Sequence, residues 1–408
     1  MKILLCSTST NQTTGYGRIS YTLLKYLASV GHEVVHFAFQ NYEWLIKHSD
    51  RAVPKSVKII DVYKLSKEVY GTDILLETVK SVNPDCVLIY NDAPVTSAFI
   101  TILSSNNIKI PVVSYLDLVY KYQKRELINY IVSKSKHMFV FSDIWKKHLI
   151  DGYGANASHV SVFPHGIDVE KFKKIDKKIA KKSIGLHEDD FIIFNNNRNS
   201  YRKLLDIGLK AFVRFWKMTG CNPHVKYLIN CRLDITDGYN FHDILKNSSI
   251  DEGVDHETLV NHHVILLSKE IGGCVSDDQI NNALNASDIG INTCGGEGFG
   301  LCNAEGAFLG NPQIVTNVGG LSDIFYKFPN MLVEPKLNMT LTAGIDFHNG
   351  ELAICDFKDV ADKLFFYYSN RDVLRQDGES VERHIKETYS WDRLLEQFDN
   401  DLRKTILD

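Results

Sequence analysis

Apolar positions follow two different spacings along the whole chain. Short apolar runs typical of buried strands alternate with longer stretches that carry an apolar residue every three or four positions, as amphipathic helices do. The first half of the chain predicts strands at 2–6, 33–39, 57–60, 86–90, 112–115, 138–141 and 160–163. It predicts helices at 18–30, 74–82 and 124–134. This alternation indicates an α/β fold with a parallel, doubly wound sheet.

A second series of strands and helices begins after a stretch at 171–182 that contains seven lysines. Because like charges repel and stay in water, we interpret this stretch as a solvated connector between domains. The second half predicts strands at 191–197, 225–230, 264–267, 288–293 and 313–316 and helices at 277–286, 301–309, 360–368 and 392–407. A chain of 408 residues is long enough for two domains of roughly 150 to 200 residues each.

The first predicted strand leads into a polar loop at 7–17 that includes Gly15 and Gly17. Loops at the carboxyl ends of strands hold the ligand in open α/β sheets, so both glycines are candidate ligand-binding residues. A dinucleotide fingerprint is incomplete here, because Ser20 stands where the third glycine of G-x-G-x-x-G belongs. The next strand also ends at Gln40, without the carboxylate that binds a ribose diol. The pattern therefore argues against a nicotinamide-dependent enzyme.

Polar residues follow two further strands of the first half. Asn91 and Asp92 come after the strand at 86–90, and Asp117 follows Tyr115 at the end of the next strand. An aspartate in this position can simply cap a turn, and turn chemistry alone leaves that alternative open. The functional alternative is contact with a substrate at the carboxyl edge of the sheet.

A glycine-rich stretch at 294–305 is the most informative part of the sequence. It joins a predicted strand to a predicted helix and contains Glu297 and Glu305 on either side of Gly298, Phe299 and Gly300. Backbone N–H groups and the positive end of a helix make such a turn an anion site, and glycines let the ligand approach the backbone closely. Ionised carboxylates can in turn accept hydrogen bonds from adjacent sugar hydroxyls.

Basic residues follow the first strand of the second half. Arg198, Arg202 and Lys203 lie just beyond the run of asparagines that ends this strand. Fixed guanidinium and ammonium groups stabilise the negative charge that develops on a diphosphate when it leaves. We therefore expect Arg198 and Lys203 to face the glycine-rich stretch, with Arg202 either sharing that task or facing solvent.

The spacing Glu-x7-Glu with Gly-Phe-Gly inside it resembles the signature of retaining glycosyltransferases of family 4. The segment at 161–168 is similar to that family's V-x-P-N-G-I-D turn, with His165 in place of asparagine. The resemblance implies the GT-B architecture, two Rossmann-like domains that face a central cleft. It places an acceptor-side domain at 1–172, a nucleotide-sugar domain at 173–385 and a helix at 386–408 that crosses back to the first domain.

The resemblance also implies roles for individual residues. Arg198 and Lys203 match the residues that hold the donor diphosphate, and Glu305 matches the one that binds the ribose diol. Glu297 is the carboxylate nearest the transferred sugar, as a nucleophile or as an orienting group. The family's usual histidine near the second strand end is absent, which makes Asp117 the catalytic candidate there and assigns Asn91, Asp92 and Tyr115 to the acceptor side. The remaining donor-binding candidates are Gly15, Gly17, Ser268, Lys269, Gly298, Phe299, Gly300, Leu301, Cys302 and Asn303.

Composition narrows the class of partner. Lys and Arg number 46 against 50 Asp and Glu, so no overall basic field favours nucleic acid. The eight cysteines lack C-x-x-C spacing, which favours reduced thiols in the cytoplasm. No apolar run reaches the length of a membrane span. The single Asp-x-Asp, at 399–401, falls in a predicted helix whose alternate positions diverge, so we expect no metal and no cofactor.

The resemblance predicts that a hexose is transferred with retention from a nucleoside diphosphate sugar to a glycan or glycoprotein. It favours GDP-mannose over a UDP-sugar. The residue usage, rich in Asn, Ile, Lys and Tyr with few prolines, resembles that of glycosyltransferases of large DNA viruses of algae, and a viral gene would place the protein in the host cytoplasm. Two alternatives remain at this point. One is a sugar-nucleotide-binding protein without turnover, and the other is a GT-B epimerase that acts on the sugar nucleotide.

Overall fold

The structure is a computed structural model that describes residues 1–12, 14–42, 51–233, 238–268, 275–342 and 344–407. The chain forms two compact units. The first comprises Met1–His165, Thr342–Gly350 and Trp391–Asp408, and the second comprises Gly166–Leu341 and Glu351–Ser390. The sequence analysis assigned 342–350 to the second domain, whereas the structure places it in the first unit.

The first unit is built on a sheet of seven parallel strands, β1 to β7. Their bounds are Lys2–Thr8, Glu33–Phe39, Lys58–Asp61, Cys86–Asp92, Val112–Asp117, His137–Val140 and Val160–Val162. The order across the sheet is β3-β2-β1-β4-β5-β6-β7. The central strands are buried along nearly their whole length, because helices cover both faces of a parallel sheet, and this is why they are continuous apolar runs.

Seven described helices accompany this sheet, including a long terminal one. Their bounds are Gly15–Ser29, Val62–Leu65, Leu75–Val82, Ala93–Ser105, Arg125–Lys134, Asp143–Tyr153 and Trp391–Leu407. The last of these packs within the first unit, where Phe398 stacks on Phe163 with ring centroids 4.4 Å apart. His32 also contacts Asp399 of this helix at 2.6 Å.

The first helix begins earlier than the sequence analysis predicted. Gly15 and Gly17 were expected in a loop, but they form the first turn of the helix Gly15–Ser29. The reason is local capping: the hydroxyl of Thr14 accepts a hydrogen bond from the N–H of Gly17 and so satisfies a donor of the first turn. A Cβ at Gly17 would lie 2.4 Å from the carbonyl oxygen of Gln12, so the preceding segment fits only against glycine.

The second unit contains a sheet of six parallel strands, β8 to β13. Their bounds are Phe191–Asn195, Val225–Ile229, Val264–Leu266, Ile289–Asn292, Gln313–Thr316 and Leu332–Val333. The order is β10-β9-β8-β11-β12-β13. The helices of this unit are Lys177–Ser183, Leu205–Met218, Phe241–Glu252, His256–His262, Asp277–Ala286, Leu301–Phe308, Gly319–Phe325, Phe357–Ser369 and Arg371–Thr388. Two units with parallel sheets confirm the predicted α/β class.

The second half contains a small separate sheet and a connector helix that the sequence analysis did not predict, besides several further helices. A separate two-stranded sheet pairs β14, Pro335–Leu341, with β15, Gly350–Cys355. The lysine-rich connector includes the helix Lys177–Ser183, and its Lys181 is buried. The ammonium of Lys181 donates to the carbonyls of Glu188 and Asp190, which explains how this cation is accommodated away from water.

No helix within the described part of the chain is long and apolar enough to cross a membrane.

Candidate active site

The order of strands in the second sheet brings two distant loops together. Strands β8 and β11 are neighbours, while the chain leaves β8 toward one side of the sheet and β11 toward the other. Ligands of open α/β sheets bind at such a switch point, outside the carboxyl ends of the strands. The loop after β8 carries Arg198, Arg202 and Lys203, and the loop after β11 is the glycine-rich stretch at 294–300.

The side chains from the two loops meet in an ion-paired cluster. The ammonium of Lys203 contacts a carboxylate oxygen of Glu297, and the guanidinium of Arg202 lies 3.6 Å from the other oxygen. Arg202 also donates to the carbonyl of Gly296 at 2.5 Å, and its own carbonyl accepts from the N–H of Gly295 at 2.9 Å. The loops are therefore joined by main-chain as well as side-chain contacts.

Glu297 is ionised in this environment. Burial alone would raise its pKa, but the charges of Lys203 and then Arg202 outweigh that effect, helped by hydrogen bonds from Lys203 and Asn292. The pKa of Glu297 falls to about 2. Its side chain and that of Lys203 each keep 12% of their surface exposed, so the pair is shielded but still reachable by a ligand.

The turn before the helix Leu301–Phe308 depends on glycine. Gly300 occupies the position before the helix with a φ of 104°, which residues with a side chain rarely adopt. A Cβ at Gly300 would lie 2.4 Å from the side chain of Leu321, and a Cβ at Gly320 would lie 2.4 Å from the carbonyl of Gly298. The start of this helix is therefore closely packed by backbone at Gly320 and by a side chain at Gly300, and the first N–H groups of the helix point out of it.

A chain of amides fixes the helix start to the sheet. Asn292 at the end of β11 donates to Asn303 at 2.8 Å, and Asn303 donates to Gln313 at 2.9 Å. Asn292 also lies 3.5 Å from Glu297. Asn303 and Glu305 are both buried, with 4% and 2% of their surface exposed. Asn303 thus has a visible structural task, and its predicted contact with the donor stays a prediction.

The other donor-side candidates differ in how far they are exposed. Phe299 is buried and its ring packs edge-on against Tyr389 with centroids 5.4 Å apart. Leu301 and Cys302 are half-buried in the first turn of the helix, and Arg198 is exposed on the loop after β8. Ser268 is half-buried beyond β10, while Lys269 lies outside the described residues.

The first sheet has its own switch point between β1 and β4. Here the hydroxyl of Tyr16, in the first turn of the helix Gly15–Ser29, donates to Asp117 at 2.6 Å. Asp92 and Asp117 are direct neighbours in the register of β4 and β5, so both carboxylates lie at the same edge. The structure thus brings Asp92 and Asp117 together at one sheet edge, next to the helix turn that contains Gly15 and Tyr16, and the predicted roles of Gly15, Asp92 and Asp117 stay predictions.

The acceptor-side candidates differ in accessibility. Asp92 caps the helix Ala93–Ser105 by accepting from the N–H of Val95, so it has a capping role, and its predicted contact with the acceptor stays a prediction. Asn91 is buried and accepts from the N–H of Asp92. Tyr115 is fully buried, stacks on Tyr90 and donates its hydroxyl to the carbonyl of Phe163. Its position in the core offers no support for the predicted acceptor contact.

Sequence reasoning missed a histidine at this edge. His348 lies 3.4 Å from Asp92 and 2.8 Å from Asp346. Burial would lower its pKa, but hydrogen bonds to Asp346 and Asp92 raise the pKa of His348 to about 9. No signal in the sequence could have found it, because 256 residues separate it from Asp92 and its segment has neither strand nor helix spacing. The sequence also left open whether Arg202 faces the glycine-rich stretch or solvent, and the structure places it 3.6 Å from Glu297.

A metal centre is not evident in the part of the chain that the structure describes. No group of three or more His, Cys, Asp or Glu side chains there has an arrangement that could hold a metal ion.

The two parallel-sheet units define the GT-B class of fold, and comparison with solved structures agrees. HepE of Anabaena, solved in complex with UDP and glucose, superposes with a TM-score of 0.72 over 99% of this chain and 100% of its own, at 16% identity. Sucrose-phosphate synthase from Thermosynechococcus elongatus gives a TM-score of 0.73 over 99% and 98% of the two chains, at 14% identity. The predicted GT-B fold is therefore confirmed.

Sequence comparisons find similarity to glycosyltransferases over part of the chain. Residues 13–171 match the family model described as Glycosyltransferase Family 4. An uncharacterized glycosyltransferase of Methanocaldococcus jannaschii is 22% identical over 65% of this chain and 59% of its own length. A D-inositol 3-phosphate glycosyltransferase of Geodermatophilus obscurus is 24% identical over 43% and 36%. The chain thus spans about a third to three-fifths of the length of these relatives, and both relatives carry the name of the predicted class, glycosyltransferase.

Proposed function

We propose that this protein transfers a hexose from a nucleoside diphosphate sugar to a glycan acceptor. The observation that carries the proposal is the cluster of Lys203, Arg202 and Glu297 at the switch point of the second sheet, directly before the helix Leu301–Phe308. Two fixed cations beside a helix start suit a diphosphate, and a carboxylate beside them suits sugar hydroxyls.

The chemistry follows from where charge develops. When the bond between the sugar and the β-phosphate breaks, negative charge grows on the phosphate oxygens, and the bond to the acceptor oxygen forms as the acceptor hydroxyl loses its proton. Lys203 and Arg202 stabilise that charge, together with the N–H groups at the start of the helix. The ammonium of Lys203 is ion-paired with Glu297 in this structure. The binding of a diphosphate therefore requires Lys203 to exchange Glu297 for the phosphate or to contact both.

We infer that Glu297 orients sugar hydroxyls rather than attacking the sugar. Its pKa of about 2 reflects a carboxylate strongly stabilised by neighbouring cations, and such stabilisation lowers its nucleophilicity. On this proposal the transfer retains the anomeric configuration, with the leaving phosphate accepting the proton of the acceptor hydroxyl on the same face. Analysis of the product anomer by NMR tests this directly, and an inverted product would contradict it.

The base and sugar of the donor are finer questions. The sequence resemblance favours GDP-mannose, whereas HepE of Anabaena was solved with UDP and glucose. The loop after β10, which the resemblance implies is near the base, contributes Ser268 among the described residues. GDP-mannose and UDP-glucose are therefore the two principal donors to test, with GDP-glucose and UDP-N-acetylglucosamine separating the preference for the base from that for the sugar.

The experiment combines binding and turnover. Each donor is first titrated against the protein in EDTA, since a ligand at 100 times its Kd stabilises by about 2.7 kcal/mol and raises the melting temperature. The bound donor is then mixed with oligosaccharide acceptors, and free nucleoside diphosphate and glycosylated product are measured by mass spectrometry. Binding of one donor and formation of a product one hexose heavier support the proposal.

A matched pair of variants ties the result to the cluster. Lys203→Met should abolish most of the thermal response to donor, whereas Lys217→Met, which removes an exposed lysine of the same unit, should leave it unchanged. An unchanged response of Lys203→Met would exclude its role at the diphosphate. Binding without product would indicate a sugar-nucleotide-binding protein, and conversion of the donor into an isomer without transfer would indicate an epimerase.

A further inference from the structure

The segment 344–350 joins β14 to β15 and is held firmly against the first unit. The N–H of Lys124 donates to the carbonyl of His348 at 2.9 Å, and the hydroxyl of Tyr120 donates to Asp346 at 2.9 Å. Gly350 has a φ of 103°, and a Cβ there would lie 2.7 Å from the carbonyl of Lys121. Main-chain, side-chain and close-packing contacts thus fix the position of this segment at the edge of the first sheet.

His348 uses its two ring nitrogens differently. Nδ1 contacts Asp346 at 2.8 Å, which fixes the ring and its orientation. Nε2 points toward Oδ2 of Asp92 at 3.4 Å. The other oxygen of Asp92 accepts from the N–H of Val95 in the helix cap, so that carboxylate is also held in place. Both partners of the longer contact retain accessible surface, 15% of the His348 side chain and 20% of the Asp92 side chain.

The longer contact has a geometry suited to a hydroxyl. A charge-assisted hydrogen bond between nitrogen and a carboxylate is normally about 2.7–2.9 Å long, so a separation of 3.4 Å leaves this pair incompletely engaged. A hydroxyl group both donates and accepts. It can donate to Asp92 and accept from the N–H of His348 at once, which neither a purely anionic nor a purely cationic ligand group can do.

We propose that Asp92 and His348 together bind a hydroxyl of a neutral sugar acceptor, with Asp92 accepting from it and the imidazole donating to it. Asp117 lies beside Asp92 in the strand register and holds the hydroxyl of Tyr16, so a second sugar hydroxyl has a carboxylate within the same edge. This inference rests on the proposed function, and it names the acceptor class and a residue of its site.

The test observes His348 directly in the whole protein. The ring signals of His348 are identified in histidine-labelled protein by NMR as those absent from His348→Gln. Methyl α-D-glucopyranoside, methyl α-D-galactopyranoside and methyl α-D-mannopyranoside are then titrated, each with and without saturating UDP or GDP. At least one glycoside should shift the His348 signals and saturate, while the signals of the exposed His159 stay fixed. No shift with any of the three overturns the inference.

A variant separates binding from a purely structural role. His348→Gln replaces the charged imidazolium with a neutral amide that can still donate a hydrogen bond. It should weaken the affinity for the responding glycoside at least 10-fold while leaving the affinity for UDP or GDP within twofold. An unchanged glycoside affinity would show that His348 only fastens the segment and would overturn the inference. The glycoside titration without nucleotide tests this inference by itself. Absence of UDP and GDP binding in the unaltered protein would instead count against the proposed function.

Discussion

Replacement of Lys203 by methionine tests how strongly the cluster depends on its central ion pair. The change removes the ammonium that contacts Glu297 and leaves a buried carboxylate with Arg202 at 3.6 Å. A pKa near 2 instead of the ordinary 4.5 corresponds to about 3 kcal/mol of net favourable interaction at pH 7, at roughly 1.36 kcal/mol per unit of pKa. Lys203 supplies the largest favourable share, so Lys203→Met should destabilise the second unit by about 2 kcal/mol.

The assay must report on the second unit alone, because a chain of two units need not unfold in one step. Hydrogen exchange measured by mass spectrometry gives the opening free energy of β11 and of the helix Leu301–Phe308. The double variant Lys203→Met/Glu297→Gln should recover much of the loss, since a neutral amide no longer requires a cation. Exchange in Lys203→Met that matches the original protein would refute the reasoning, as would a double variant no more stable than the single one.

The same pair predicts a pH dependence with a definite sign. The pKa of Glu297 is lower in the folded state than in the unfolded state, so its stabilising contribution is present above about pH 4.5 and is lost as the pH falls toward 2. The opening free energies of the original protein and of Glu297→Gln should therefore converge over this range. A constant difference between them from pH 7 to pH 2.5 would show that the lowered pKa does not stabilise the fold.

The remaining predictions concern backbone and the second charged group. Gly300→Ala should destabilise the second unit by about 1–3 kcal/mol, because φ is 104° and the new Cβ would meet Leu321, and exchange should rise in the helix that follows; exchange equal to that of the original would contradict this. His348 has a pKa raised to about 9 by Asp346 and Asp92, so its stabilising contribution is complete below about pH 6.5 and is lost as the pH rises through 9. Thermal unfolding of the first unit in His348→Gln should lack that decline, and an identical decline in both proteins would assign it to another group.

Much of the fold was predictable because burial on both faces leaves a simple trace in the sequence. Strands such as β1 and β11 are continuous apolar runs, and the helix Asp277–Ala286 has the bounds that the apolar spacing predicted. The start of the helix Gly15–Ser29 was missed because its first turn is polar and glycine-rich. There the Thr14 cap, rather than apolar spacing, determines where the helix begins.

The candidate site was predictable only where chemistry is concentrated in short segments. Lys203 and Glu297 were chosen separately, 94 residues apart, and the structure shows that they touch. His348 could not be predicted, because its neighbourhood is created by a segment that joins β14 to β15 and packs in the first unit. Tyr115 illustrates the opposite case, since a polar residue near a strand end can point into the core and donate its hydroxyl to a backbone carbonyl, and its predicted acceptor contact stays a prediction.

A crystal structure of the protein with bound nucleoside diphosphate is the most direct test of the central claim. The account predicts diphosphate oxygens within hydrogen-bond distance of the Lys203 ammonium and of backbone N–H groups at the start of the helix Leu301–Phe308, with the Lys203–Glu297 contact lengthened or shared. A nucleotide bound elsewhere in the second unit, with the contact between Lys203 and Glu297 unaltered, would contradict it.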